Sequence, residues 1–349
     1  MIIKRKMLYQ KSSLNSSMEN ASEKFCPQIG DSITVPYQAT DAIQRATLFA
    51  IIINCLMWPT GCVANCFVFI TVLRKPQLRT VYNTSVLCLI AADLCVILLA
   101  QTSNIVYLVN KFTTGDYSCS LFFIYNLFTW LCHGLSFFTL LFISIERYFA
   151  VFHPFWYKES VTKTRIFCAI VTTWVICGAL VIILNFMPSI PHSVRTVVMT
   201  CLFLPSILST VVIYLKIFRE IRGNTAQVGP PVHGSPAETQ VRKSSKTVGV
   251  IIGVQIMSFF PCICLNIVQM LSFVSSVLLI HGIFPFAEAA AFMNAVLDPM
   301  IYFWRNKEAR GSLGELRHIN ICMKSKTDVS LSQTENSTVV IQLKDYGSG

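Results

Sequence analysis

Seven apolar runs, each long enough to cross a bilayer, leave this chain few ways to fold. They fall near residues 46–73, 82–107, 119–150, 166–188, 194–218, 245–273 and 277–303. About 20 helical residues cross ~30 Å of hydrocarbon. A segment in lipid must also pair every backbone N–H and C=O internally, which an isolated run achieves as a helix. With 54% hydrophobic and only 13% charged residues, the composition is too apolar for an ordinary soluble domain. The expectation is an all-α membrane protein. A seven-transmembrane-helix bundle occupies 46–303, after a segment 1–45 and before a tail 304–349.

The net charge of +11 raises nucleic acid as a partner, and the placement of the basic residues decides against it. Arg74, Lys75 and Arg79 follow the first run, and Lys158, Lys163 and Arg165 the third. Lys216, Arg219, Arg222, Arg242, Lys243 and Lys246 flank the fifth and sixth, and Arg305, Lys307 and Arg310 follow the seventh. The positive-inside rule makes these segments cytosolic, which puts the N-terminus outside and the C-terminus inside a plasma-membrane protein. Lys4, Arg5, Lys6 and Lys11 run against this, but charges far from the first helix weigh little. Asn15-Ser16-Ser17 and Asn20-Ala21-Ser22 are glycosylation acceptors on the outer side. Asn83-Thr84-Ser85 matches the same pattern on the cytosolic side, where it should stay bare. No apolar stretch follows the early basic residues closely enough for a cleaved signal peptide, so the first helix directs insertion.

Of the 14 cysteines, those at 55, 62, 66, 88, 95, 132, 168, 177, 262 and 264 lie well within the apolar runs as small hydrophobic filler, with no zinc spacing among them. Cys26 and Cys119 both fall on the extracellular side, so a disulfide between them is one pairing and Cys119 with Cys201 is another. Enzymatic activity is not expected, and no catalytic residue is assigned. There is no metal cluster, nucleophile motif or phosphate-cradling glycine loop. A transporter or channel is the alternative from another class, but the unequal spans carry no internal repeat.

Ionisable groups within such runs are costly unless partnered, so each is a functional candidate. Asp93 lies near the middle of the second run, and Glu146-Arg147-Tyr148 ends the third. Asn65 follows Gly61 and Ala64 in a small-residue seam suited to close helix contact. Pro205, Pro261 and Pro299 each free a carbonyl and bend an axis.

Taken in order, Asn65, Asp93, Glu146-Arg147-Tyr148, Trp174, Pro205, Pro261 and Asp298-Pro299-Met300-Ile301-Tyr302 resemble the rhodopsin-like class of G-protein-coupled receptors across all seven helices. The resemblance implies a two-state bundle whose outer cavity binds an agonist and whose inner end opens for a heterotrimeric G protein. Glu146, Arg147, Tyr148, Pro261, Asp298, Pro299 and Tyr302 would form its coupling switch. Protonating Glu146 would favour opening. Val241 stands where the family often has a second acid, which predicts a loose inner lock and measurable agonist-free signalling. Asp93, Ser136, Asn294 and Asp298 match the family's central sodium site. No other cofactor is implied, and a proton-sharing carboxyl pair is the competing account. Residues 305–317 read as a short cytosolic amphipathic helix on the lipid bilayer. The hydroxyls of the tail beyond it suit a receptor kinase and an arrestin, and residues 223–240 read as a flexible cytosolic loop.

Several departures bear on the ligand. Thr129 stands where amine receptors carry Asp, which disfavours an amine, and Phe292 stands where opsins carry the retinal-linking Lys. By height the pocket candidates are Thr129, His133, Asn266 and Glu288; a satisfied core histidine is the favoured reading of His133, and a solvated carboxylate at the outer mouth the competing one of Glu288. Only a few residues join the fourth and fifth helices, without cysteine, and Phe122 replaces the usual helix-three cysteine. The short loop and Asp-Pro-x-x-Tyr resemble the melanocortin, adenosine and cannabinoid neighbourhood, and the open mouth suits a peptide or a lipid. Phe259 replaces the helix-six Trp and Gln255 the Phe one turn inward, so a decoy or scaffold with weak coupling is the second account.

Overall fold

The structure is a computed structural model in which residues 25–26, 31–32, 40–78, 80–115, 118–187, 190, 192–228, 236–270, 279–306 and 309–311 are described. Two short strands, β1 (Phe25–Cys26) and β2 (Asp31–Ser32), pair antiparallel. The helices follow: α1 (Asp41–Arg74), α2 (Val81–Cys95), α3 (Thr102–Thr114), α4 (Cys119–Phe152), α5 (Pro154–Ser160), α6 (Lys163–Phe186), α7 (His192–Val228), α8 (Pro236–Met270) and α9 (Phe284–Arg305). A π-helical turn, Val96–Gln101, joins α2 to α3 as one rod, and another, Leu279–Ile283, leads into α9.

Six helices among the described residues are long and apolar enough to cross a membrane: Asp41–Arg74, Val81–Thr114, Cys119–Phe152, Lys163–Phe186, Val194–Arg222 and Thr239–Val268. The seventh apolar run appears as the 22-residue α9, whose hydropathy is lowered by Glu288, Asn294 and Asp298. Large apolar side chains point outward along the spans, as Leu56 (68% exposed), Val175 (66%) and Met257 (73%) illustrate. No soluble protein would leave so much apolar surface in water, and the chain is a multi-pass membrane protein.

Local chemistry sets the helix starts. Thr40, Thr80 and Thr162 each accept a hydrogen bond from the backbone N–H three residues on, at 3.4, 3.1 and 3.3 Å, which satisfies a donor the first turn leaves free. Pro154 opens α5 at a position where a missing N–H costs nothing. Gly115, at φ 63°, closes α3 in the left-handed conformation that glycine tolerates best.

Within the unit Met1–Ile301, α4 is the central helix, packed against α2, α6 and α7. Close approach depends on small residues. A Cβ on Gly134 of α4 would sit 2.8 Å from the Phe203 ring and 3.0 Å from Cys177 Sγ, and one on Gly61 would sit 2.7 Å from Ile97 Cδ1. The seam expected around Gly61 and Asn65 is present. Asn65 Nδ2 donates to Gly61 O (2.9 Å) and across to Ala295 O of α9 (2.8 Å). Trp174 Nε1 donates to Thr139 Oγ1 (2.9 Å), tying α6 to α4. Phe122, in place of a cysteine, packs edge-on against Tyr107 (5.8 Å) and Tyr125 (6.1 Å), which stack on each other at 5.5 Å.

Three expectations change or pass out of view. The loop expected over 223–240 is shorter, because α7 continues to Val228 and α8 begins at Pro236. The Thr-Ala-Gln-Val and Ala-Glu-Thr-Gln stretches within these extensions contain neither Gly nor Pro, the residues that most disfavour a helix. Cys119 is disulfide-bonded and Cys201 is free, so the Cys119–Cys201 pairing does not form. Asn15, Asn20, the side chain of Cys26 and residues 312–317 lie outside the described residues. In the second unit, Tyr302–Gly349, Asn306 Oδ1 accepts from Ala309 N (3.2 Å) and its Nδ2 donates to Tyr302 Oη (3.0 Å).

Candidate functional site

Three polar centres lie along α4. The first is at its C-terminal end, where Glu146 and Arg147 are 2% and 3% exposed. Arg147 Nη2 donates to Glu146 Oε1 at 2.5 Å and to Tyr157 Oη at 3.1 Å, while Nη1 donates to Ser244 Oγ of α8 at 2.8 Å. Tyr157 in turn donates to Glu146 Oε1 (2.7 Å), and Ser85 of α2 donates to Glu146 Oε2 (2.8 Å). The guanidinium also lies 4.8 Å from the Tyr82 ring centroid, a cation–π contact. Burial and the Glu146 carboxylate push the Tyr157 phenol above its usual range, which keeps its proton available to donate. Four elements, α2, α4, α5 and α8, thus meet on one ion pair.

Sequence reasoning found Glu146 and Arg147 but missed their neutral partners Tyr157, Ser244 and Ser85. Ser244 lies three residues after Val241, nearly one helical turn, and brings a hydroxyl where the absent acid was sought. Tyr148 packs its ring on Phe152 at 4.6 Å. Tyr214 donates to Ser245 O, and its ring occupies the space left by Gly249. Asn83, with its glycosylation-like spacing, is buried and donates to Leu78 O at 2.7 Å.

The second centre is midway along the bundle. Asp93 and Asp298 are buried with their carboxyls within hydrogen-bond reach of each other. Ser136 Oγ donates to Asp93 Oδ1 (3.1 Å) and Asn294 Nδ2 donates to Asp298 Oδ2 (3.3 Å). Among the described residues, Asp93 Oδ2, Asp298 Oδ1, Asn294 Oδ1 and Asn65 Oδ1 accept no hydrogen bond. Buried oxygens left without donors, two of them on facing carboxyls, need a proton or a small hard cation. The expected sodium set therefore fits this donor chemistry.

The third centre is a cavity of about 120 Å³ among α4, α7, α8 and α9. All four pocket residues expected from helix height, Thr129, His133, Asn266 and Glu288, line it. The walls are otherwise largely aromatic, with Trp130, Phe137, Phe203, Phe259 and Phe292, a feature that height alone did not indicate. Asn104 Nδ2 donates to Glu288 Oε2 at 3.2 Å, and Lys111 Nζ donates to His281 O at 3.4 Å. Glu288 is half-buried and tied to Asn104 of α3.

The helical membrane bundle thus carries a buried Glu-Arg pair at one end of α4, a carboxyl pair midway and a cavity lined by α4, α7, α8 and α9. The chain belongs to the 7 transmembrane receptor (rhodopsin family), whose profile matches residues 64–302. It is 25% identical to melanocortin receptor 3 of Rattus norvegicus over 266 residues, 72% of this chain and 80% of that one. It is 30% identical to the trissin receptor of Drosophila melanogaster over 131 residues, 37% of this chain and 18% of that one. It is 31% identical to G-protein coupled receptor 84 of Homo sapiens over 146 residues, 41% and 35% of the two chains. The matched stretch thus spans well under half the length of two of these three relatives.

Proposed function

We propose that this receptor converts binding of an extracellular ligand, a peptide or a lipid, into activation of a heterotrimeric G protein. The single observation that carries this reading is Arg147, a buried cation hydrogen-bonded to Ser244 of α8 while paired with Glu146. Such a contact holds two helices together at one end of the bundle, and an agonist that binds the parted form more tightly shifts the equilibrium toward it. In this reading α9 is the seventh crossing, segment 1–45 is extracellular, and 304–349 is cytosolic with an amphipathic helix and sites for a receptor kinase and an arrestin. The test is nucleotide exchange on a panel of G proteins in membranes carrying the chain. Exchange above empty membranes is expected, falling to background with Arg147→Ala at matched surface expression. Undiminished exchange in the variant would remove Arg147 from the coupling mechanism.

Sodium is proposed to settle at Asp93, Ser136, Asn294 and Asp298 and to favour the inactive form. When bound it supplies positive charge between the two carboxyls, while Ser136 and Asn294 fix the carboxylate orientations. Replacing sodium by a bulky organic cation should raise agonist affinity several-fold, and Asp298→Asn should abolish that response. Equal affinity in both salts would argue for a shared proton instead.

A further inference from the structure

His133 sits in the cavity wall with a fixed orientation. Its Nδ1 lies 2.9 Å from Thr129 O of the preceding turn. A carbonyl oxygen only accepts, so Nδ1 carries the proton, and the neutral ring presents Nε2 as an acceptor. That Nε2 is buried in a residue only 7% exposed and makes no hydrogen bond among the described residues. Thr129 Oγ1, one turn away on a half-buried residue, is likewise a buried atom without a hydrogen bond among them. Glu288 already accepts from Asn104. A buried acceptor without a donor has lost its water and gained nothing in return, so the site is arranged for something that brings a donor.

The surroundings restrict what that is. Phe259 meets the His133 ring edge-on at 5.1 Å and Phe292 lies 5.4 Å from it. Phe137 packs against Phe259 at 4.6 Å, and Trp130 stacks on Phe203 at 5.8 Å. Faces and edges of this kind favour a flat π-system over a branched chain. The cavity of about 120 Å³ is of the order that admits one ring, since an engineered apolar cavity of roughly 150 Å³ binds benzene.

We infer that this cavity takes one aromatic ring carrying an O–H or N–H donor, a phenol or an indole, with His133 Nε2 as the acceptor. The inference rests on the receptor reading for its biological meaning and on the cavity alone for its chemistry. A phenol or indole can arrive as a free small molecule or as a Tyr or Trp side chain of a peptide, and both satisfy the same acceptor.

The test uses the full chain in lipid nanodiscs and reads binding by thermal stabilisation, with no G protein present. The probes are p-cresol against 4-methylanisole, and 3-methylindole against 1,3-dimethylindole, pairs that differ by methylation of the donor. The donor-bearing member of each pair is expected to bind roughly tenfold more tightly, as losing a hydrogen bond to a buried acceptor implies. His133→Phe keeps a flat ring but removes the acceptor, and should erase the difference. Equal binding within both pairs of the unmutated receptor, discrimination that survives His133→Phe, or no binding of any probe would each overturn the inference. The comparison within pairs needs no variant, so a misfolded His133→Phe leaves the test intact. N-acetyl-tyrosine methylamide binding above p-cresol would place the ring on a peptide, whereas p-cresol alone would place it on a small molecule; either upholds the ring-donor chemistry. Failure of G-protein exchange with ring discrimination intact would sink the coupling reading alone.

Discussion

Agonist-free nucleotide exchange is expected to rise about tenfold or more in a Tyr157→Phe, Ser244→Ala double variant. Among the described residues, these hydroxyls are the two neutral groups hydrogen-bonded to Arg147, at 3.1 and 2.8 Å. A hydrogen bond to a charged group contributes roughly 1.5–3 kcal/mol, and one made only in the closed form shifts the closed-to-open ratio by its whole value. Only the Ser244 bond crosses from α4 to α8, so its loss should act on opening directly. Tyr157 acts through Glu146, to which it donates at 2.7 Å, so the two effects share one ion pair and should fall short of additive. Ser244→Glu should reverse the sign, because a carboxylate facing Arg147 adds an ion pair to the closed form, and basal exchange should fall below that of the parent. Exchange that fails to rise in the double variant, measured at equal surface expression, would show that the cluster does not hold the bundle closed.

A loss of about 3 kcal/mol in stability is expected for Arg195→Ala, read as a fall in Tm of several degrees in detergent. Arg195 is a large side chain only 2% exposed. Its Nε donates to Leu184 O (3.0 Å), and its Nη2 donates to Ile190 O (3.1 Å) and Met187 O (3.5 Å). Leu184 lies in the last turn of α6 and Met187 and Ile190 in the link beyond, where carbonyls lack helical partners and the helix dipole is negative. One guanidinium therefore closes the end of α6 and pins it to α7 across the very short connection between them. Truncation strands three partly buried acceptors, each costing no more than about 1–3 kcal/mol and partly recovered by relaxation and by water. Arg195→Lys should recover only part of the loss, since a single ammonium cannot reach three carbonyls in fork geometry. An unchanged Tm in Arg195→Ala would reduce the contact to an incidental one.

Both predictions turn on residues that no motif pointed to. Tyr157, Ser244 and Arg195 have no distinguishing spacing: a tyrosine in a loop, a serine in a basic stretch, an arginine after a turn. Each matters because chain folding brings it to a charge or to a row of carbonyls, and sequence spacing reaches only a turn or two along a helix. The cavity shows a mixed outcome. Counting 1.5 Å per residue from Arg147 was enough to select Thr129 on α4, and height likewise selected Asn266 and Glu288. It gave no means of knowing that Nδ1 of His133 would be used by its own helix and Nε2 left for a ligand.

What the sequence determined by itself was whatever follows from solvent and period. Apolar runs of bilayer length must be helices in lipid, their order and polar insertions mark the rhodopsin family, and Asp93, Asp298 and Glu146-Arg147 were legible because charge inside such a run is rare and costly. What only the tertiary structure decided was which neutral groups complete each charge. It also decided how far α7 and α8 continue into the stretch between them and which rings wall the cavity around His133. Those depend on helix rotation and approach, set by contacts such as Gly134 against Phe203, and a pattern read along one helix carries no information about the rotation of its neighbour.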